Sequence, residues 1–182
     1  MKMNSLTDRQ IIDALAEASC AGVPIFLLVR GICCIRPGIP GKTENIQVES
    51  IVGRFLEHSR IYSFGSGQDL EIFISSADMM TRNTKRRVEV ACPIYDPALR
   101  ERLAEMIEIL KKDNVQATRL LSSGEYVSKR KRGDEPLSSQ NYFMRERETA
   151  PEKTETEEKR ILCFCRPENL SETYKIKNKE AV

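Results

Sequence analysis

Histidine occurs once in this chain, at His58, within Arg54-Phe55-Leu56-Glu57-His58-Ser59-Arg60-Ile61-Tyr62. An imidazole, with an ordinary pKa of ~6.5, is the side chain best suited to exchange a proton at neutral pH or to accept a phosphoryl group on a ring nitrogen. Alone, His58 reads as a structural or surface residue, because no triad order and no metal-ligand spacing surrounds it. Its neighbours change that reading. Arg54 and Arg60 bracket it, and a guanidinium offers a planar fork of donors that matches a phosphate edge. Arg82, Arg86 and Arg87 follow Ser75-Ser76-Ala77-Asp78. Each arginine taken singly is an ordinary surface charge; several arginines, one histidine and small hydroxyls together point to phosphoryl chemistry.

These residues need a scaffold, and the hydrophobic pattern suggests an α/β one. Thr7-x-x-Gln10 has the form of a capping box, and Ile11, Ile12, Leu15 and Ala18 follow at helical spacing up to Gly22. Ile25-Phe26-Leu27-Leu28-Val29 lacks alternation, as expected of a strand buried on both faces. It ends at Arg30, which puts a guanidinium at the carboxyl end of a central strand, where open α/β sheets tend to bind ligands. Residues 31–43, rich in Gly and Pro, predict a stiff loop lining the site. A hairpin is expected from 60–64 and 69–75 around Gly65-Ser66-Gly67-Gln68, and a further strand over 87–92, where Val88 and Val90 alternate with Glu89 before Pro93. Asp96-Pro97 opens a helix whose apolar stripe is Leu99, Leu103, Met106, Ile107 and Leu110, ending near Asp113. Short strands are expected at 115–121 and 125–128.

Composition narrows the class. With 182 residues and 40% hydrophobic content, the chain can bury one core, expected to span residues 1–147. Residues 148–182 are rich in Glu, Lys and Thr and predict a mobile tail. Basic and acidic residues number 29 and 27, so binding nucleic acid through bulk charge is not expected and any anion site must be local. Lys129-Arg130-Lys131-Arg132 reads as a solvated surface run. No stretch approaches the ~20 apolar residues of a membrane span, and no signal sequence is evident. The expected compartment is therefore the cytoplasm, with peripheral attachment to the inner membrane as a variant. The six cysteines lack the spacing of a disulfide framework. Cys163-x-Cys165 has no second pair nearby to complete a zinc site, and no metal ligand is assigned.

Longer blocks carry a resemblance. Met3-Asn4-Ser5-Leu6, Ile12-Asp13-Ala14-Leu15, Leu28 to Cys34 with Arg36-Pro37-Gly38-Ile39-Pro40-Gly41, and Asn45 to Tyr62 resemble the C-terminal domain of polyphosphate kinases of the phospholipase-D-like kind. So do Ile74-Ser75-Ser76-Ala77-Asp78, Arg82-Asn83 and Arg86-Arg87-Val88-Glu89-Val90. The resemblance implies a phospholipase-D-like α/β fold with a mixed sheet flanked by helices. It also implies reversible transfer of the ATP γ-phosphate to polyphosphate through a phosphohistidine. That phosphohistidine belongs to a preceding domain; His58 matches the second histidine, which assists as proton donor or acceptor. Arg30 matches an arginine that grips nucleotide phosphate, Arg87 a further phosphate-binding arginine, and Arg60 stands beside them. Mg²⁺ is expected to arrive with ATP, its ligands lying outside this chain.

The same resemblance implies partners: ATP or ADP, polyphosphate, the N-terminal kinase domains, and a homo-oligomer when full length. The chain alone is expected to be inactive. Its signature departs from that of phospholipase D, which is His-x-Lys followed after four residues by Asp; here His58-x-Arg60 is followed by Gly65. Met79 stands where a tryptophan is expected. Two other readings stay open at this point: a phosphodiesterase that brings two copies of His58 together by dimerising, and a non-catalytic remnant that binds nucleotide or polyphosphate.

Overall fold

The computed structural model describes residues 1–149; the expected tail beyond them, with Cys163 and Cys165, lies outside the described residues. Among the described residues the strands and α-helices follow in the order β1 (Lys2–Met3), α1 (Arg9–Cys20), β2 (Ile25–Val29), β3 (Ile46–Ile51), β4 (Ile61–Phe64), β5 (Glu71–Ser75), α2 (Thr81–Arg86), β6 (Ala91–Pro93), α3 (Pro97–Lys112), β7 (Ala117–Leu120), β8 (Tyr126–Ser128) and α4 (Ser139–Thr149), with a 3-10 turn at Gly67–Asp69 between β4 and β5. One compact unit spans Met1–Met144, and a second begins at Arg145, within α4.

The strands form an eight-stranded sheet in the order β6-β5-β4-β1-β2-β3-β7-β8. Its centre, β1-β2-β3, is parallel, and the flanking pairs are antiparallel. The expected mixed sheet flanked by helices is present. Alternate residues of β2 supply two cores, which is why its sequence shows no alternation. Leu27 and Val29 join Met3, Val48 and Tyr62, with Ile11, Ile12 and Leu15 of α1 packed against them. Leu28 joins Ile51, Leu110 and Ala117, with Phe26, Met106 of α3 and Phe143 of α4 packed against them.

Several expectations are corrected. The N-cap of α1 is Asp8, whose Oδ1 accepts from Ile11 N at 3.2 Å, because the amides of both Thr7 and Asp8 are drawn onto the Met79 carbonyl. The strand expected over 87–92 is β6, beginning only at Ala91 and running through Pro93. Proline is tolerated there because β6 is an edge strand. In the preceding stretch the inward residue is Glu89, held by Ser76 and Asn83, while Val88 is 99% exposed. Leu99 lies off the buried stripe of α3, at 56% exposure. Lys129 is drawn inward from the basic run to pair with Glu49 at 2.7 Å, so only part of that run is a solvated surface.

Candidate functional site

The parallel strands β1, β2 and β3 point their carboxyl ends to one side, and β4, antiparallel to β1, begins there. Asn4 follows β1, Arg30 follows β2, and His58 with Arg60 leads into β4. This is the position at which an α/β sheet exposes strand ends and unpaired backbone to a ligand.

Side chains from these ends form one chain of contacts. Arg30 donates through Nε and Nη2 to Asn4 Oδ1, at 3.2 and 2.9 Å. The Asn4 backbone N–H and its Nδ2 donate in turn to Asp78 Oδ1, at 2.7 and 3.2 Å. Asp78 Oδ2 accepts from Arg60 Nη2 at 2.9 Å, an ion pair whose side chains are 12% and 7% exposed. The terminal nitrogens of Arg60 then meet the His58 ring: Nη1 lies 3.2 Å from Nδ1, and Nη2 lies 3.3 Å from Nε2. A neutral imidazole has a single lone-pair nitrogen, so only one of these contacts is a hydrogen bond at a time. Arg60 Nη1 also donates to the His58 carbonyl at 3.1 Å, while buried Nε has no protein partner. Arg60 is thus bound to its neighbours rather than extended towards solvent.

A second set of contacts fixes the backbone on both sides of His58. Lys2 Nζ donates to Ser59 O and Oγ at 3.1 and 2.9 Å and lies 3.4 Å from Glu57 Oε2. Burial is the main cause that pulls the Lys2 ammonium below its ordinary range; Glu57 opposes this, and Arg30 and Arg60 add to it. Burial alone would raise the Asp78 carboxyl, but its bonds to Arg60 and Asn4 outweigh that and hold it below its ordinary value. Tyr62, which donates to the Ala77 carbonyl at 2.7 Å, is pushed up by burial and by the Asp78 charge.

Arg87 is exposed at the end of α2. It leads into Glu89, whose carboxyl is held low by hydrogen bonds from Ser76 and Asn83 and, more weakly, by the charges of Arg87 and Arg60. Of the four residues singled out in the sequence, Arg30, Arg60 and His58 therefore share one network; Arg87 lies outside it, linked only through the weak influence that it and Arg60 both have on Glu89. Arg54 lies over the Phe55 ring, 5.3 Å from its centroid. Asn4, Asp78, Lys2, Glu57 and Glu89 were not recognised as part of the site. Asn4 and Asp78 lie within the blocks that carry the resemblance, but no local spacing links residues 74 positions apart.

Gly65, at the place of the signature aspartate, has φ +74°, and a Cβ there would lie 2.3 Å from the Asp69 carbonyl oxygen. The backbone at this turn favours glycine.

Comparison with known proteins identifies the family and the fold. A family model described as the polyphosphate kinase C-terminal domain 2 matches residues 1–140. The chain is 50% identical over 148 residues to a polyphosphate kinase of Staphylococcus epidermidis, covering 80% of this chain and 20% of that protein. It is 55% identical over 125 residues to one from Thermosynechococcus vestitus, covering 69% and 17%. The crystal structure of polyphosphate kinase from Porphyromonas gingivalis superposes with a TM-score of 0.75 at 44% identity, covering 82% of this chain and 24% of that one. The chain thus spans about a fifth of the length of these relatives. Its fold is phospholipase-D-like, and the chain belongs to the polyphosphate kinase family, corresponding to the C-terminal domain 2 of those enzymes.

Proposed function

We propose that this chain supplies one half of the phosphoryl-transfer site of an ATP–polyphosphate phosphotransferase, the other half coming from the kinase domains that precede this region in its relatives. The observation that carries this reading is the continuous network Arg30–Asn4–Asp78–Arg60–His58 at the strand ends. Phosphoryl transfer asks mainly for positioning and for neutralisation of charge on oxygen. Arg30 and Arg87 provide that charge, while Asp78 and Arg60 fix the His58 ring. In the proposed cycle the γ-phosphoryl group passes from ATP to a histidine of the preceding domain, and ADP leaves. A terminal oxygen of polyphosphate then attacks phosphorus, the N–P bond breaks, and the chain is one phosphate longer. His58 gives or takes the proton that accompanies these steps.

Mg²⁺ would neutralise charge on the nucleotide phosphates. The carboxylates here do not fit a metal-ligand set. Asp78 is occupied by Asn4 and Arg60, Glu57 by Lys2 and Gln140, and Glu89 by Ser76 and Asn83. Among the described residues no group of three or more His, Cys, Asp or Glu could hold a metal. We therefore place the metal's ligands elsewhere in the full enzyme.

The loops leaving β2 and β3 expose Ile32, Val52, Phe55 and Leu56 at 62%, 67%, 43% and 75%. An apolar rim around a charged site suits burial against another protein surface, here the preceding kinase domains. Calorimetric titration of the 182-residue chain with inorganic tripolyphosphate tests the site. Saturable binding, weakened about tenfold or more by Arg30→Ala, is expected from the loss of one charge-assisted contact. Binding unchanged by Arg30→Ala would count against the assignment.

A further inference from the structure

We propose that Gln140, near the start of α4, is a positioning residue that sets the placement of the His58 loop. Its side-chain amide makes three contacts with that loop. Oε1 accepts from Phe55 N at 3.1 Å, and Nε2 donates to Phe55 O at 2.9 Å and to Glu57 Oε1 at 3.1 Å. A primary amide paired with a backbone N–H and C=O reproduces the pairing of an adjacent strand, so it fixes both the height and the orientation of residue 55. Glu57, immediately before His58, is held from the other side by Lys2.

Gln140 can act this way because its own position is fixed. It is 5% exposed, and the residue before it, Ser139, gives its N–H and hydroxyl to Asp113 Oδ2 at 2.8 and 2.7 Å. Asp113 is fully buried at the end of α3, and its Oδ1 also accepts from the amides of Val115, Gln116 and Ala117. One carboxylate thus ties α4 to the end of α3, and Gln140 projects from this joint. Gly53 completes the approach: a Cβ there would lie 2.5 Å from both Gln140 Oε1 and Gln116 Nε2. Side-chain ends can normally give way, but the end of Gln140 is tied by its three bonds, so only glycine lets the loop pass this close.

The inference adds to the proposed phosphotransferase site a residue that touches neither phosphate nor the reacting atoms, and it rests on that reading only for its functional consequence. The test is therefore first made without ligand, on the 182-residue chain. Gln140→Met keeps the volume and removes all three bonds. Phe55 amide exchange should accelerate about tenfold or more and the His58 ring resonances should shift, with core amides such as Leu27 and Val48 unchanged. Gln140→Glu keeps the acceptor for Phe55 N–H but faces Glu57 with a carboxylate. The Phe55 amide should then stay protected while the His58 resonances still move. Unchanged Phe55 exchange in Gln140→Met, or acceleration spread equally over the core, would overturn the proposal. Should Gln140→Met fail to fold, unmoved His58 resonances in Gln140→Glu would do the same. Tripolyphosphate affinity should fall about tenfold in Gln140→Met if the phosphate reading holds. Failure of the wild-type chain to bind tripolyphosphate would remove the phosphate reading and leave the ligand-free result on Gln140 standing.

Discussion

Asp78 is the residue on which the His58 network turns, because it takes donors from Asn4 on one side and Arg60 on the other. Replacing one partner of a buried, hydrogen-bonded pair leaves the other without compensation, typically a loss of about 3 kcal/mol. Asp78→Asn should lower the urea midpoint with an unchanged slope, and an unshifted midpoint would contradict this role. The pH dependence has a defined sign. Asp78 is held below its ordinary value of 3.8, so its contribution to stability is fully present above that value and is lost as pH falls through the lower folded value. Asp78→Asn should flatten the stability profile below about pH 4, leaving the shares of Asp8 and Glu89, which are also held low. His58 and the arginines were legible from residue type. Asp78 was not, because a carboxylate that anchors an arginine looks in sequence like any other surface acid.

Among the elements, the hairpin of β4 and β5 holds the clearest difference from the phospholipase-D signature. With φ +74° and the Asp69 carbonyl where a side chain would begin, Gly65 cannot be replaced by aspartate without strain. Gly65→Asp should cost about 1–3 kcal/mol in thermal or chemical denaturation and create no phosphodiesterase activity. A stable variant that cleaves phosphodiesters would contradict both statements. Strong local signals were read correctly: β2 from its continuous apolar run, and α3 from Asp96-Pro97, where Asp96 caps Leu99 N at 3.0 Å. β3 was overlooked although Ile46 and Val48 alternate with Gln47 and Glu49 as in a half-buried strand, and its burial goes further than that alternation implies. Glu49 is fully buried, and Arg119 of β7, Lys129 beyond β8 and the Gln47 amide, which donates to Oε1 at 2.7 Å, make that burial tolerable. β1 was missed because two residues in a polar terminus carry no periodicity, yet pairing on both sides places them mid-sheet. α4 begins without a strong apolar stripe and is held instead by Asp113.

For the molecule as a whole, charge is nearly balanced, with a formal net of +2, so bulk charge gives no general attraction for anions and the proposed phosphate site relies on the arrangement at the strand ends. Family and fold were legible because blocks from Met3 to Val90 are ordered as in polyphosphate kinases. The way those blocks meet in space was not, since it depends on strand order and on contacts made across the sheet. Because the chain spans about a fifth of its relatives, the central claim is that it works as one part of a two-part site. The most direct measurement mixes the 182-residue chain with the separately expressed preceding portion of a relative and follows polyphosphate made from ATP. Synthesis by the pair, absent from either part alone and lost with His58→Ala, is the expected result. A folded, assembled pair that makes no polyphosphate, or one that works equally well with His58→Ala, would contradict it.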